Sequence, residues 1–257
     1  MLRVLRLKLA WRARWNLAHC LPDVPSIERE ELLQRTLYQR CLSVFDVARQ
    51  LQQPLSASVG SVKAVHGWSI IEHARAAGHG VVVLVPHFGN WELAGLYLSY
   101  RLDNTAILFK STGDAALDDW IAERRGRAGA EAIAGSHRAL KRLLVRLRAG
   151  GCVGILPDQR PSRGRGRMVA FFGRPALTMT LACRLLQTTG ARAVFAACAR
   201  RADGRGFELH VHEPEPALYA DDLDRSLAAL NRGVERIARL DLAQYQWAYH
   251  RFPEGDQ

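Results

Sequence analysis

The sequence predicts an α/β fold in which short buried strands alternate with amphipathic helices. Residues 81–85 are five apolar, mostly β-branched residues, and Pro86 ends this predicted strand because proline cannot donate to a β-ladder. Residues 152–156 repeat the pattern with an apolar run, Pro157 and then the polar pair Asp158 and Gln159. Apolar residues at helical spacing dominate much of the remaining chain, so we expect helices to pack on a central sheet.

Length and composition indicate one folded domain with a strongly basic surface. A chain of 257 residues can bury a sizeable core, and no linker or internal repeat divides it, so we expect a single domain over residues 1–257. The 36 Lys and Arg against 25 Asp and Glu give a net charge of +11. Such a charge favours nucleic acid, anionic lipid surfaces, phosphorylated substrates or acidic proteins as partners. The five cysteines form no C-x-x-C pair, which is typical of buried thiols in the reducing cytoplasm.

Residues 2–21 predict a basic helix with two apolar sides. Basic residues lie between the two sides and break the apolar run along the chain, so we expect neither a signal peptide nor a clear transmembrane helix. One apolar side would pack on the protein while the other, carrying Trp11 and Trp15, lies on lipid. The alternative is an ordinary terminal helix with solvated arginines. The two sides comprise Leu2, Leu5, Leu9 and Leu17, and Val4, Leu7, Trp11, Trp15 and Ala18.

Periodicity and turn residues predict the other elements. We expect helices over residues 27–51, 69–77, 115–127, 178–189 and 222–240, and one more that Ser136 caps. We expect strands over residues 105–110, 194–199 and 207–212, the last two as an antiparallel hairpin. In the helix over residues 27–51, helical spacing predicts a core-facing stripe of Leu33, Leu37, Cys41, Val44 and Ala48.

A histidine and a carboxylate flank the turn that follows the strand over residues 81–85. Asn90 is a good N-cap, so His87 lies in the turn and Glu92 in the first turn of the next helix. Ligands of open α/β sheets bind at this carboxyl edge, where Glu92 could orient His87 as a general base. The alternative is a surface histidine beside a glutamate that the helix dipole alone favours.

Polar residues after the strand over residues 152–156 extend this predicted site. If that strand is parallel to the first, Asp158 and Gln159 approach His87. Residues 160–167 carry four arginines, beginning with Arg160, and guanidinium groups suit phosphate, although a mobile basic loop is the alternative. Phe171 and Phe172 would line an acyl-chain groove or belong to the core.

The remaining histidines and the absent motifs argue against metal or nucleotide chemistry. Five histidines besides His87 are not interpreted as ligands. The first three show no ligand spacing with one another and are interpreted as surface or packing residues, and the last two share one half-exposed face of a strand. The sequence has no G-x-S-x-G, no G-x-x-x-x-G-K-[ST] and no H-E-x-x-H. A histidine and a carboxylate without these groups suit direct transfer, in which a base deprotonates a hydroxyl that attacks an activated carbonyl. The five are His66, His73, His79, His210 and His212.

The stretch from His87 to Glu92, His-Phe-Gly-Asn-Trp-Glu, resembles the H-x4-D/E signature of glycerolipid-type acyltransferases. With these particular residues it resembles most the late (secondary) acyltransferases of lipid A biosynthesis. The resemblance continues in order over residues 16–252. The family's N-x5-P motif corresponds to Asn16 to Pro22, and its downstream arginine pair corresponds to Arg125 and Arg127. Its D-Q pair corresponds to Asp158 and Gln159. Its F-F-G element corresponds to Phe171-Phe172-Gly173, and its closing aromatic segment to residues 244–252. Lys110 stands where the family usually has arginine, which keeps the charge and loses bidentate geometry.

The resemblance implies a mixed, mostly parallel central sheet flanked by helices, the two-layer acyltransferase type. It implies an O-acyltransferase that moves a fatty acyl chain from acyl carrier protein to a hydroxyl of a lipid A precursor, with an acyl thioester as co-substrate and no other cofactor. His87 would be the base and Glu92 its orienting partner, and backbone N–H groups at the start of the Asn90 helix would stabilise the oxyanion. The substrate-binding residues would be Asn90, Lys110, Arg125, Arg127, Asp158, Gln159 and Arg160.

The expected partners are acyl carrier protein, an anionic glycolipid and the cytoplasmic face of the inner membrane. Family members usually begin with a membrane-spanning helix, whereas residues 1–22 of this chain predict a basic membrane-proximal helix. We therefore expect peripheral attachment through this helix, with a catalytic body over residues 23–257. Two alternatives stay open. The same chemistry would use acyl-CoA or another lipid or polyene acceptor, or the protein would be a non-catalytic basic membrane-binding protein. Nucleic acid is not expected, because no recognition motif accompanies the arginines.

Overall fold

A computed structural model of the chain describes residues 2–76, 78–161, 164 and 166–252, and it has the predicted α/β architecture. The helices are α1 (Leu2–Cys20), α2 (Ser26–Gln52), α3 (Leu55–Val59), α4 (Trp68–Ala76), α5 (Trp91–Arg101), α6 (Ala115–Gly126), α7 (His137–Arg148), α8 (Leu181–Thr189) and α9 (Leu223–Ala238). The strands are β1 (Val62–His66), β2 (Val81–Leu84), β3 (Thr105–Phe109), β4 (Glu131–Ala134), β5 (Cys152–Ile155), β6 (Gly166–Phe171), β7 (Arg174–Met179), β8 (Arg192–Arg200) and β9 (Phe207–His212).

Seven strands form the central sheet in the order β1-β9-β8-β2-β5-β3-β4. Its neighbours pair in parallel except for β8 and β9, which form the predicted antiparallel hairpin. The sheet is therefore mixed and mostly parallel, as expected. β6 and β7 form a separate two-stranded hairpin, so α8 begins at Leu181 and not at the predicted residue 178.

The core lies on both faces of the sheet, because β2 is central and fully buried. Val82 and Leu84 pack in one hydrophobic cluster with residues of α7, α8 and α9. Val81 and Val83 point the other way and pack in a second cluster with residues of α4 and α5. A strand buried on both faces needs a continuous apolar run, which is the pattern of residues 81–85.

Helix α2 follows its predicted stripe in its first half and departs from it in its second half. Leu33 is buried and Leu37 packs against the core as expected, but the other buried residues of α2 are the polar Thr36, Asp46 and Gln50. Asp46 forms an ion pair with Arg200 of β8. The prediction for Cys41, Val44 and Ala48 was wrong because a buried ion pair and polar contacts, which periodicity does not reveal, decide which face of the helix turns inward. The exposed apolar side chains of α2 include Tyr38, Val44 and Phe45.

Helix α1 packs on the body through one of its two predicted apolar sides. Leu17 is buried with Ala13 and Cys20, whereas Trp11 is 51% exposed. Trp15 belongs to the protein side, because its ring stacks on His19 and lies 5.7 Å from the ring of Phe252. No helix in the described part of the chain has the length and apolar character needed to cross a membrane.

Candidate active site

The turn between β2 and α5 is held in place by backbone contacts to three other segments. Val85 donates to the Ile155 carbonyl, Gly89 to the Gln244 carbonyl and Asn90 to the Cys198 carbonyl, over 2.9 to 3.1 Å. Gly89 has φ of +53°, and a Cβ there would lie 2.1 Å from the carbonyl oxygen of Cys198. Glycine is therefore required at position 89 for two reasons: the left-handed backbone conformation and the lack of space for a side chain.

Asn90 caps α5 as predicted. Its side-chain oxygen accepts from the Leu93 N–H at 3.0 Å, and the residue is 1% exposed. The cap fixes where α5 begins and so fixes the turn that carries His87. Asn90 therefore has a structural role beside the site, and its place among the substrate-binding residues stays a prediction.

His87 and Asp158 meet at the carboxyl edge of the sheet. β2 and β5 pair in parallel with Leu84 opposite Ile155, so the residues three positions later, His87 and Asp158, are level with each other. The His87 Nδ1 lies 2.8 Å from Asp158 Oδ1, and the His87 backbone N–H donates to Asp158 Oδ2 at 2.9 Å. The sequence-based prediction that Asp158 approaches His87 is confirmed.

The environment of Asp158 keeps its carboxyl ionised. Burial opposes ionisation, but the charge of His87, its two hydrogen bonds and the charge of Arg251 outweigh burial and hold the pKa of Asp158 below its usual value. A carboxylate at Nδ1 keeps the ring proton there and leaves Nε2 as the basic nitrogen. Gln159 Nε2 lies 3.2 Å from that Nε2 and donates to it. The arrangement can therefore take a proton at Nε2 of His87.

Glu92 does not orient His87, which corrects the sequence-based prediction. Its carboxylate pairs with the guanidinium of Arg125 in α6, with Arg125 Nε 2.9 Å from Glu92 Oε2 and a second contact through Nη2. The first turn of α5 directs Glu92 towards α6, whereas Asp158 follows the strand next to β2. Spacing along one segment suggested Glu92, but pairing between two strands supplies the partner of His87.

The C-terminal segment closes the site with residues that sequence reasoning did not single out. The ring of Tyr249 lies parallel to the His87 ring at 6.5 Å, and its hydroxyl accepts from the Arg160 backbone N–H at 2.9 Å. Asn16 of α1 holds this segment, donating to the carbonyls of Trp247 and Tyr249 at 2.6 and 3.1 Å. The resemblance over residues 244–252 was the signal that could have identified them.

Two buried polar side chains, those of Arg251 and Tyr245, interact electrostatically with Asp158. Arg251 is 4% exposed, and it donates to Thr178 Oγ1 at 3.0 Å and to Asn231 Oδ1 at 3.1 Å. Burial, together with the Asp158 charge, raises the pKa of Tyr245 well above its usual value, so its hydroxyl stays protonated. The charge of Arg251 therefore favours a negative charge on Asp158.

An apolar cavity of about 50 Å³ lies beside the site, between α5 and the sheet. Apolar side chains from β2, α5, β3 and β5 line most of it, and Glu92, Arg124, Arg125 and Gln50 add polar groups. Trp91 lines the cavity, and its ring lies 5.1 Å from the ring of His87. Apolar clefts with a few polar groups are typical ligand sites.

Phe171 and Phe172 belong to the core, which decides between the two interpretations of this pair. They are 1% and 7% exposed, and Phe172 packs on Trp247. Phe171 also lines a smaller cavity of about 10 Å³ together with His87, Asp158 and Tyr245.

The remaining predicted basic residues are in three different environments. Lys110 is exposed at the end of β3. Arg160 contacts His250 Nδ1 through Nη1 at 2.9 Å. The guanidinium of Arg127 donates to the Gln50 and Gln53 carbonyls at the end of α2, so Arg127 joins helices and is not placed as a phosphate ligand.

Comparison with known proteins identifies the family of this chain. The sequence model of the bacterial lipid A biosynthesis acyltransferases matches residues 3–254. The chain is similar to the lipid A biosynthesis lauroyltransferase of Escherichia coli (strain K12), at 25% identity over 93% of this chain and 78% of the relative. A lipid A biosynthesis acyltransferase of Haemophilus influenzae is 26% identical over 93% and 76%. A phosphatidylinositol mannoside acyltransferase of Mycobacterium tuberculosis (strain CDC 1551 / Oshkosh) is 27% identical over 92% and 74%.

Proposed function

Because this chain belongs to the bacterial lipid A biosynthesis acyltransferase family, we propose that it transfers a fatty acyl group from an acyl thioester to a hydroxyl of a glycolipid. Acyl carrier protein is the proposed donor and a lipid A precursor the proposed acceptor. The observation that carries the proposal is His87, held at Nδ1 by the buried Asp158 beside an apolar cavity.

In the proposed reaction His87 Nε2 removes the proton of the acceptor hydroxyl. The hydroxyl would take the place of the Gln159 amide on that nitrogen, and its oxygen attacks the thioester carbonyl carbon. The C–S bond then breaks, and the imidazolium returns the proton to the departing sulfur. Asp158 stabilises the imidazolium between the two proton transfers. General-base catalysis of this kind contributes about 10²- to 10⁴-fold to the rate.

The first turn of α5 is the proposed site of oxyanion stabilisation. Asn90 already satisfies the Leu93 amide, which leaves the Trp91 and Glu92 N–H groups at the positive end of the helix. Preorganised amides of this kind stabilise negative charge that develops on a carbonyl oxygen. The Glu92–Arg125 pair would position this turn and so act on the reaction indirectly.

The apolar cavity is the proposed site of the acyl chain, and basic residues would receive anionic groups. Trp91 links the cavity to His87, so a chain in the cavity would place its thioester near the base. Lys110 and Arg160 would contact phosphates of the acceptor or of the carrier's phosphopantetheine arm. The net charge of +11 suits an acidic carrier protein and an anionic membrane.

A second acceptor class is favoured by one comparison. A phosphatidylinositol mannoside acyltransferase is as similar to this chain as the lipid A enzymes are. An anionic mannolipid is therefore the second acceptor to be tested.

Peripheral attachment to the cytoplasmic face of the inner membrane is part of the proposal. Its support is the apolar face of α2, formed by Tyr38, Val44 and Phe45, together with the exposed Trp11 of α1. Amphipathic helices with such side chains and basic neighbours lie in membrane interfaces.

Acyl transfer followed by mass spectrometry tests the proposal. Purified protein is incubated with acyl carrier protein or coenzyme A loaded with acyl chains of several lengths, and with a tetraacylated lipid A precursor or a phosphatidylinositol mannoside. We expect one acceptor to gain the mass of one acyl chain, and His87→Ala to abolish the gain. The absence of transfer to both acceptors, from a folded protein, would reject the proposed substrates. Transfer that persists in His87→Ala would reject the base.

A further inference from the structure

Two histidines and a glutamate come together at the far edge of the sheet, on the edge strand β1 and its neighbour β9. The strands pair in parallel with Ala64 opposite Glu208 and His66 opposite His210, so these side chains share one face. The His66 and His210 rings stack with centroids 4.7 Å apart. The function proposed above uses none of these residues.

The three side chains direct their ligand atoms at one small volume. His66 Nε2 lies 3.3 Å from Glu208 Oε2, and His210 Nε2 lies 3.8 Å from the same oxygen. One ligand atom from each residue lies within 4.8 Å of the other two. Tetrahedral zinc with bonds of about 2.0–2.2 Å separates its ligand atoms by roughly 3.3 Å. The pair of His66 and Glu208 already has that separation, and rotation of partly exposed side chains can close the remaining gaps.

We propose that His66, Glu208 and His210 form a binding site for a divalent transition metal ion of the zinc type. Imidazole is a borderline-soft ligand and carboxylate is a hard one. Zinc(II) accepts two imidazoles together with one carboxylate. Three protein ligands leave at least one coordination position for water, and the site is open to solvent, since the His66 side chain is 54% exposed.

A neighbouring arginine orients the carboxylate for this role. Arg201 Nη1 donates to Glu208 Oε1 at 2.6 Å, which leaves Oε2 facing both imidazoles. Outer partners of this kind fix the geometry of metal ligands. Arg201 also pairs with Asp203, which reduces the positive charge that it brings near the ion.

A metal ion at this position would join the edge strand to the sheet. β1 has β9 as its neighbour in the sheet order, and the next residue of the chain after His66 is Gly67, where a turn leads into α4. An ion bound by His66, Glu208 and His210 would therefore oppose opening of the β1 edge. We expect it to slow hydrogen exchange in residues 62–66 and to raise the unfolding temperature through preferential binding to the folded state.

The site is tested by zinc titration of metal-free protein from which any affinity tag has been cleaved. Isothermal titration calorimetry with ZnCl₂ should give one equivalent bound by the wild type. The variants His66→Ala, Glu208→Gln and His210→Ala should each weaken binding at least about tenfold, and Co²⁺ should give the visible absorption of a site with nitrogen and oxygen ligands. Circular dichroism establishes that each variant is folded.

Two control variants separate this site from other histidines. His73→Ala removes an exposed histidine of α4, and His87→Ala removes the histidine of the active site. Both should keep the stoichiometric zinc site of the wild type. The proposal is overturned if wild-type protein binds no zinc, if the three cluster variants bind it as the wild type does, or if His87→Ala alone abolishes binding. It is also overturned if zinc leaves the exchange of residues 62–66 unchanged.

Discussion

At the scale of single residues, the site depends on which carboxylate faces His87. Asp158 has both a contact to Nδ1 and one to the backbone N–H, so it fixes the ring and the turn together. Glu92 is engaged by Arg125 instead. The two carboxylates therefore have separable roles, one beside the proposed base and one in the wall of the apolar cavity.

Asp158→Asn should lower kcat about 10²- to 10⁴-fold with little change in KM, because an amide cannot stabilise the imidazolium and can bind the wrong tautomer. Steady-state acyl transfer by the wild type and the variant, with kcat and KM determined for each, measures this effect. A fully active Asp158→Asn variant would show that another group orients the base.

Glu92→Gln should act mainly on stability. It leaves the guanidinium of Arg125, whose side chain is 24% exposed, without its ion-pair partner. We therefore expect a loss of about 1–3 kcal/mol in the free energy of unfolding. Urea denaturation of Glu92→Gln, Arg125→Met and the double variant measures the coupling, which should lie between about 0.5 and 3 kcal/mol. The pH dependence of acyl transfer should be the same in Glu92→Gln as in the wild type. A shifted pH dependence would indicate that Glu92 orients His87.

At the scale of elements, α2 presents its apolar face to solvent because its polar face is used inside. The ion pair of Asp46 with Arg200 and the contacts of Arg127 with the α2 carbonyls fix the orientation of the helix. The exposed side then consists of large apolar side chains at positions that helical spacing places together. Exposed apolar patches of this kind are typical of surfaces that contact lipid or protein.

Val44→Ser combined with Phe45→Ser should reduce binding to anionic vesicles about tenfold or more, because each side chain loses its burial in the interface. The free energy of unfolding should change little, since Val44 and Phe45 are 62% and 73% exposed. Vesicle co-sedimentation measures binding. Val145→Ser is the matched control, a valine of α7 that is 67% exposed and outside α2, and it should bind as the wild type does. Equal losses in both variants would reject α2 as the membrane surface.

At the scale of the whole molecule, charge should govern the approach to the membrane and α2 should govern retention. A net charge of +11 attracts an anionic leaflet with about 1 kcal/mol for each basic residue near the surface. Salt screens this attraction, because the Debye length is about 10 Å at 0.1 M ionic strength.

Raising NaCl from 0.05 M to 0.5 M should therefore weaken binding to phosphatidylserine- or phosphatidylglycerol-containing vesicles steeply. Binding to vesicles of neutral phosphatidylcholine should be weak and nearly independent of salt. Co-sedimentation at both salt concentrations gives the comparison. Strong, salt-independent binding to neutral vesicles would show that apolar insertion dominates and that the charge serves another partner.

The sequence by itself determined three consecutive elements: β2, the turn that carries His87, and helix α5. Their signals, a β-branched run, a proline and an N-cap, act locally along the chain. The repeated strand-proline pattern placed Asp158 near His87 on the condition that the two strands are parallel neighbours, and the structure supplies that pairing. Only the tertiary structure decided that Glu92 faces Arg125, that the polar face of α2 is buried and that His66 meets His210. Each of these depends on partners far away in the chain, and local periodicity carries no information about which distant element supplies them.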